Sequence, residues 1–546
     1  MPTSKSEFQS IAPNLTMGTL SHYPIKSSAP KIIQDLKVII HDTITIFPPH
    51  ETEKRSMFLS NIDQVLNFNV ETVHFFVADP QFPSQVVAEM LKSALSEALV
   101  VYDFLAGRLR LNLDTQRFEF DCNGAGAQFV VGSSEFELCE IGDLVYPNPG
   151  FRQLVQKSYD DLAIHDRPLC IIQMFDVTRT TCCRFFLSLS LISFYGMNDY
   201  WNLSRLFFIE VNLNMRIERL TMRCFEIVCD DLMSNIGLEI EIAFEVRIEI
   251  ELTSFKCGGF AIGVATNHAT FDGISFKTFL QNLASLAADK PLATTPCNDR
   301  RLLAARSPPQ IQFDHPELFK IPTGIDLPSP TVFDTPEGEL DFKIFNLTSN
   351  DIAYLKQKAK DEPFSTNAKI TGFNVVAAHV WRCKALSSGA DYDPERVSTV
   401  LYAVDIRSRL GLPPSYAGNA VLSAYASARC KEIEEGPLSK LVEMVTEGTK
   451  RMTGEYAQSV IDWGEVNKGF PNGEFLISSW WRLGFADVEY PWGKPRYSCP
   501  VVYHRKDIIL LFPDIVGESN NEVNVLVALP SKEMENFEAL FHKFLA

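Results

Sequence analysis

Apolar positions along this chain switch repeatedly between a period of two and a period near 3.6, the signatures of short strands and of one-sided helices. VETVHFFVA (70–78) alternates like a strand, and PSQVVAEMLKSALSEALVVY (83–102) follows it with Val87, Met90, Leu91, Leu95 and Leu99 at helical spacing. GGFAIGVAT (258–266) alternates through Phe260, Ile262 and Val264. The next run, ISFKTFLQNLASLA (274–287), sets Phe276, Phe279, Leu280, Leu283 and Leu286 on one helical face. In IFNLTSNDIAYLKQKAK (344–360), Thr348, Ser349 and Asn350 stand just before a helical pattern, where they can cap it. TGFNVVAAHVWRCKA (371–385) reads as a buried helix and STVLYAVDIRSRL (398–410) as a strand running into a loop. VLVALPSKEMENFEALFHKFL (525–545) reads as strand, turn and helix, with Met534, Phe537, Leu540, Phe541 and Phe544 in one stripe.

Two interruptions divide this text. Residues 291–336 hold nine prolines, so an extended crossover is expected there. Residues 174–252 hold none, although the chain has 31. That stretch carries four of the twelve cysteines, lacks turn punctuation and shows no sustained period. Its EIEIAFEVRIEIEL (239–252) alternates like a strand with no evident partner. The expected division is a tail at 1–34, an α/β half at 35–290 interrupted by the anomalous stretch, the crossover at 291–336, and a second α/β half at 337–546.

The chain has 546 residues, enough for several buried cores, and its 46% apolar and 22% charged content is that of a folded globular protein. A formal charge of −18 opposes nucleic-acid binding. The polar N-terminus and the lack of any apolar run near 20 residues read as a soluble, unsecreted, cytoplasmic chain. Scattered cysteines without C-x-x-C spacing fit free thiols in a reducing compartment, which leaves the sequons at Asn14, Asn202 and Asn346 unused.

The sharpest chemical signal is NHATFDG (267–273), between the strand and the helix described above. His268 leaves a strand end and Asp272 stands at a helix mouth, a junction whose side chains project into clefts. A lone H-x-x-x-D-G is more often a hydrogen-bonded structural histidine with a capping aspartate, and on the motif alone that reading stands. No Cys/His cluster or H-E-x-x-H points to metal, and no G-x-S-x-G to a serine hydrolase. GAGA (124–127) lacks the rest of a dinucleotide fingerprint, and no Walker A pattern occurs.

Five further blocks surround the motif in order: YDFLAGRLR (102–110), VDIRSRL (404–410), YAGNAV (416–421), ISSWWRLGF (477–485) and YPWGKP (490–495). With NHATFDG they resemble the plant BAHD acyltransferases over most of 35–173 and 253–546. The resemblance implies an α/β (α+β) fold of two chloramphenicol-acetyltransferase-like domains, with mixed sheets flanked by helices and a channel between them. It implies acyl-CoA as co-substrate, a small alcohol or amine as acceptor, no tightly bound cofactor, no metal and a monomer. In that family the motif histidine deprotonates the acceptor, which attacks the thioester directly. His268 would be that base, since a poorly nucleophilic alcohol needs an acceptor of protons with a pKa near 6.5. Asp272, by resemblance, holds the loop by pairing with an arginine, for which Arg407 is chosen over Arg409. Ser478, Ser479 and Trp480 match a serine-tryptophan block; the serines are candidate substrate contacts and the Trp480 indole N–H a candidate oxyanion donor, with a packed aromatic wall as its alternative. Gly273, Trp492 and Gly493 are expected structural supports.

Two departures qualify the match. The family's D-F-G-W-G stands here as Glu489, Tyr490, Pro491, Trp492 and Gly493, so a stiff proline replaces a flexible glycine and a different local turn is expected. Residues 174–252 interrupt a hairpin leading to His268; an in-frame retained intron is the simplest account, and a genuine insertion is the alternative. The N-terminal text FPPHETEKRSMFLSNIDQVLNFNVETVHFF looks most like the branch of omega-hydroxypalmitate feruloyltransferases and GLAUCE-type acyltransferases. Residues 462–475 contain no arginine to grip an acceptor carboxylate, which favours a neutral or long-chain alcohol. The expected activity is therefore an acyl-CoA-dependent O-acyltransferase using a hydroxycinnamoyl or fatty acyl donor. The alternative is a catalytically impaired relative that acts as a partner of another enzyme.

Overall fold

A computed structural model describes residues 35–138, 140–141, 148–155, 168–176, 259–321, 340–362, 369–389, 392–501, 508–514 and 522–546. Nearly all of the anomalous stretch, EIEIAFEVRIEIEL included, lies outside the described residues.

The strand and helix patterns fold into two six-stranded mixed sheets with helices packed on them. Across the first sheet the strands run Val38–Ile46, Ala127–Ser134, Cys170–Asp176, Phe260–Asn267, Asn69–Phe76 and Tyr497–Pro500. Across the second they run Asp341–Leu347, Val523–Leu529, Ile508–Pro513, Phe475–Ser479, Val397–Asp405 and Val421–Arg429. The apolar face of helix Ser84–Val101 buries Val87, Leu91, Leu95 and Leu99 against helix Gly273–Ala287, which buries Phe276, Phe279, Leu280 and Leu283. Removing four such side chains from water is worth about 1.5–3 kcal/mol each, so this layer anchors the first half. Helix Ser349–Asp361 starts where the sequence places its cap: Thr348 accepts from the Asp351 amide, and Asp351 accepts from Thr348 in return. Helix Gly372–Ala385 is buried on nearly every side and carries the fully enclosed Trp381.

Three features differ from the expected division. Tyr497–Pro500 comes from the second half of the chain yet forms an edge of the first sheet, antiparallel to Asn69–Phe76. Its Ser498 hydroxyl meets Nδ1 of His74 at 2.8 Å, so the boundary at residue 336 is not a clean cut between two independently closed sheets. Sheet completion decides this, because the edge of Asn69–Phe76 has backbone groups that need partners. Second, the proline-rich crossover is not wholly irregular. It contains the short 3₁₀ turn Arg300–Leu303 and the strand Leu318–Lys320, which pairs with Gly469–Pro471. Third, strand Cys170–Asp176 extends into the stretch that begins at Met174, because Met174 is buried in the core. That strand pairs directly with Phe260–Asn267, from Cys170 opposite Thr266 to Asp176 opposite Phe260.

The two sheets bury a common apolar layer. Val73, Phe75, Ile171, Ala261 and Ala265 from the first meet Leu510, Phe512 and Leu526 from the second. Strand Phe260–Asn267 thus delivers the NHATFDG segment from a sheet packed on both faces.

Candidate active site

His268 follows the last residue of its strand. Its amide donates to the Phe68 carbonyl (2.7 Å), and its ring lies 5.0 Å from that of Phe68. The residue is partly exposed, while its Nδ1 is buried without a hydrogen-bond partner. Burial pushes the ring pKa below its ordinary value of 6.5, against the opposing pull of its own carbonyl, Asp272, Asn419 and Asp63. A ring so placed is neutral at pH 7, the state a proton acceptor requires.

Asp272 is the N-cap of helix Gly273–Ala287, its Oδ1 accepting from the Ser275 amide at 2.9 Å. Arg407, on the loop after strand Val397–Asp405, reaches it with both terminal nitrogens: Nη1 to Oδ2 at 2.8 Å and Nη2 to Oδ1 at 2.9 Å. The Ala420 amide fills the remaining place on Oδ2 at 2.9 Å. Four donors therefore saturate a carboxylate that is only 3% exposed, and none of them is the His268 ring. The geometry makes Asp272 a clamp between the two halves of the chain rather than a relay to the imidazole.

Gly273 permits a close approach: a Cβ there would stand 2.5 Å from Leu483 Cδ1. That contact ties the motif helix to the serine-tryptophan block. Trp480 lies in the same block, partly buried at the border of the apolar layers of both sheets. Its ring meets Phe485 edge-on at 5.3 Å, and Phe485 meets Phe276 of the motif helix at 5.5 Å. Ser478 and Ser479 end strand Phe475–Ser479, half-buried, opposite Leu510 and Leu511.

The YPWG block lies elsewhere. Tyr490 and Trp492 stack at 5.0 Å and pack on Phe76 and Phe260. The Gly493 amide donates to the Tyr490 carbonyl at 3.0 Å, which puts Pro491 at the second position of a closed turn, where its fixed φ is favoured. Gly493 itself adopts φ +100°, a conformation that suits glycine. Pro491→Gly should lower stability by about 0.5–1 kcal/mol through the freer unfolded chain. The same variant should leave turnover unchanged, which a denaturant melt and an activity assay together will check.

Residues without an assigned role in the sequence complete the loop's surroundings. Arg300 and Asp63 form an ion pair at 2.9 Å with both side chains fully buried. Arg300 also donates to the carbonyls of Ala269 (2.9 Å) and Thr270 (2.6 Å). The Asn419 side chain donates to Asp63 Oδ1 and to the His268 carbonyl, both at 2.8 Å. Asn419 sits inside the YAGNAV block, whose presence was the signal available, but its partners lie 151 and 356 residues away. A cavity of about 260 Å³ lined by Arg55, Phe58, Asn298 and Arg301 opens behind Arg300. It touches the motif only through that side chain and is too small for an acyl-CoA. Among the described residues, no group of three His, Cys, Asp or Glu side chains could hold a metal ion, and no helix is long and apolar enough to cross a membrane.

The model of the Transferase family, that of the BAHD acyltransferases, matches residues 36–192 and 222–543. The chain belongs to the BAHD acyltransferase family. The match passes over 193–221, inside the proline-free stretch. Acyltransferase GLAUCE of Arabidopsis thaliana is 50% identical over 527 residues, covering 95% of this chain and 99% of that protein. The Arabidopsis omega-hydroxypalmitate O-feruloyl transferase is 29% identical over 533 residues, covering 97% and 95%. Among solved structures, vinorine synthase superposes with a TM-score of 0.60 at 19% identity, covering 91% of this chain and 96% of that one. TRI101 of F. graminearum, solved with coenzyme A and T-2 mycotoxin, gives 0.61 at 11%, covering 89% and 97%. These likenesses bear out the expected two-sheet α/β architecture. As a BAHD member the chain is an acyl-CoA-dependent acyltransferase, which moves an acyl group from a CoA thioester to an acceptor.

Proposed function

We propose that this BAHD acyltransferase transfers a hydroxycinnamoyl or fatty acyl group from acyl-CoA to the hydroxyl of a neutral or long-chain alcohol, with His268 as general base. The observation that carries the reading is His268, a partly exposed residue whose neutral ring is favoured by burial, on a loop clamped by Arg407 and Arg300. The acceptor hydroxyl gives its proton to the ring as its oxygen attacks the thioester carbonyl. The tetrahedral oxyanion collapses and expels the CoA thiolate, which takes the proton back from the imidazolium. No acyl-enzyme forms. The Trp480 indole N–H is the proposed oxyanion donor, held by Phe485 against the motif helix. Ser478 and Ser479 line the substrate side, while Asp272, Gly273, Arg407, Trp492 and Gly493 hold the architecture. Acyl-CoA is consumed as a substrate, and no resident cofactor takes part.

Two relatives support the donor and acceptor classes. One is the omega-hydroxypalmitate O-feruloyl transferase, and the other is the Arabidopsis fatty alcohol:caffeoyl-CoA acyltransferase, 26% identical. Residues 462–475 offer no arginine for a carboxylated acceptor. We further propose that the enzyme works as a cytoplasmic monomer and that the proline-free stretch beyond Asp176, the product of a retained intron, is dispensable. Pairing of Asp176 with Phe260 supports this, since a short turn could join those two strand ends.

The test is thiol release from feruloyl-CoA, caffeoyl-CoA and palmitoyl-CoA, with a long-chain primary alcohol, an omega-hydroxy acid or shikimate as acceptor. It is run on the full chain and on a version in which a short turn replaces 177–252. Alcohol-dependent release is expected to be largest with a hydroxycinnamoyl donor. Release stimulated only by shikimate would refute the neutral-acceptor assignment.

A further inference from the structure

The Asn419 amide has two hydrogens on Nδ2, and both are committed, one to Asp63 Oδ1 and one to the His268 carbonyl. This assignment fixes which end of the amide is nitrogen, because a flipped Asn419 would set an oxygen against two acceptors. The remaining atom, Asn419 Oδ1, is buried and has no hydrogen-bond partner. So is Nδ1 of His268, the same residue whose carbonyl Asn419 already holds. Buried polar atoms rarely stay unpaired, and here an orphaned acceptor and an orphaned ring nitrogen belong to two residues already in contact.

The anchor under Asn419 is rigid. Asp63 caps its own short helix by accepting from the Ser60 amide at 2.9 Å, and Arg300 pairs with it from the crossover. Gly418 leaves room for this packing: a Cβ there would stand 2.7 Å from Arg300 Nε. The amide therefore has little freedom to rotate or retreat.

We infer that Asn419, seated on the buried Asp63–Arg300 pair, is a positioning residue that holds the neutral His268 ring with its proton on Nδ1 and its lone pair on Nε2. Asn419 and the residue's own carbonyl both favour the proton-bearing form of the ring, and Asn419 Nδ2 pins that carbonyl in place. A ring in the other tautomer would present a hydrogen to the incoming hydroxyl and could not take its proton. The inference deepens the assignment of His268 as base and rests on it.

The charged groups around the ring are two neutralised pairs, Asp272 with Arg407 and Asp63 with Arg300. A change at Asn419 is thus read against a nearly balanced background. Interaction with Asn419 and with Asp272 pulls the ring pKa upward against burial.

The experiment combines nitrogen-15 spectra of histidine-labelled enzyme with pH–rate profiles of Asn419→Ala and Asn419→Asp. In the full wild-type chain, the His268 signals, assigned by their loss in His268→Ala, should report a neutral ring protonated at Nδ1. Asn419→Ala should lower kcat by about 10–100-fold, the scale of a misplaced imidazole, with KM for acyl-CoA within about twofold. Its acidic limb should move to lower pH. Asn419→Asp keeps an oxygen toward the ring but sets the other against Asp63 Oδ1 and the His268 carbonyl, so it should lose turnover and stability together while its limb stays above that of Asn419→Ala; a loss of packing alone would not separate the limbs of the two variants. A wild-type ring protonated at Nε2 overturns the inference. So does an Asn419→Ala profile that matches wild type while His268→Ala is inactive. If neither Asn419 variant folds, the wild-type spectrum still decides. Activity retained in His268→Ala would instead remove the base assignment beneath it.

Discussion

His268→Ala is expected to lower kcat by about 10²–10⁴-fold, the range over which a positioned general base assists proton transfer. KM for acyl-CoA should change little, and the folded chain should keep its stability, because the residue is partly exposed and its backbone bonds to Phe68 and Asn419 survive the change. The pH dependence gives an independent check. The base works only when neutral, so kcat/KM should rise with pH and level off once the ring has lost its proton. Because burial holds the ring below its ordinary pKa, the midpoint of that rise should lie under pH 6.5. A steady-state series from pH 4.5 to 8.5 on wild type and variant measures both effects. A midpoint at or above 6.5 in the wild type would contradict the lowered pKa, and a variant with full turnover would reassign the base.

Arg407→Ala should be the most damaging substitution for stability. It strips two donors from a carboxylate that is 3% exposed and has no solvent to replace them. Removing one partner of a buried ion pair costs about 3–5 kcal/mol. The loss should appear as a lower denaturant midpoint together with a fall in turnover, since the same arginine also holds the Gly418 carbonyl and Ser275. Arg407→Lys should recover only part of either, because an ammonium cannot span both carboxylate oxygens. If Arg407→Ala melts like wild type, the clamp described for Asp272 is wrong.

Local chemistry explains which parts of the architecture were legible in the residues alone. The helix Ser84–Val101 announces itself by its apolar spacing, and Thr348 and Asp272 announce helix starts by their chemistry as caps. Each of these depends on neighbours within a few positions. The sheet order does not. Nothing near Tyr497–Pro500 indicates that it will leave its own half and pair with Asn69–Phe76, because any strand edge satisfies backbone groups equally well and shape complementarity makes the choice. The site divides in the same way. His268, Asp272 and Arg407 stand in recognisable blocks, whereas Asp63 and Arg300 meet across 237 residues, and only the folded chain brings a carboxylate and a guanidinium of that spacing together. Pro491 is a case where the residue suggested disturbance and the turn accommodates it, since proline suits the second position of a turn that closes on Gly493.

The late strand Tyr497–Pro500 bears on how the protein is made. On the ribosome, Asn69–Phe76 emerges early and can pair on one side with Phe260–Asn267, but its other side stays open until more than four hundred further residues have been added. Throughout that interval a half-built sheet offers a sticky margin to any other nascent chain. Folding yield in the cell is thus tied to protection of this margin, and a stop codon upstream of Tyr497 removes the cover as well as the tail.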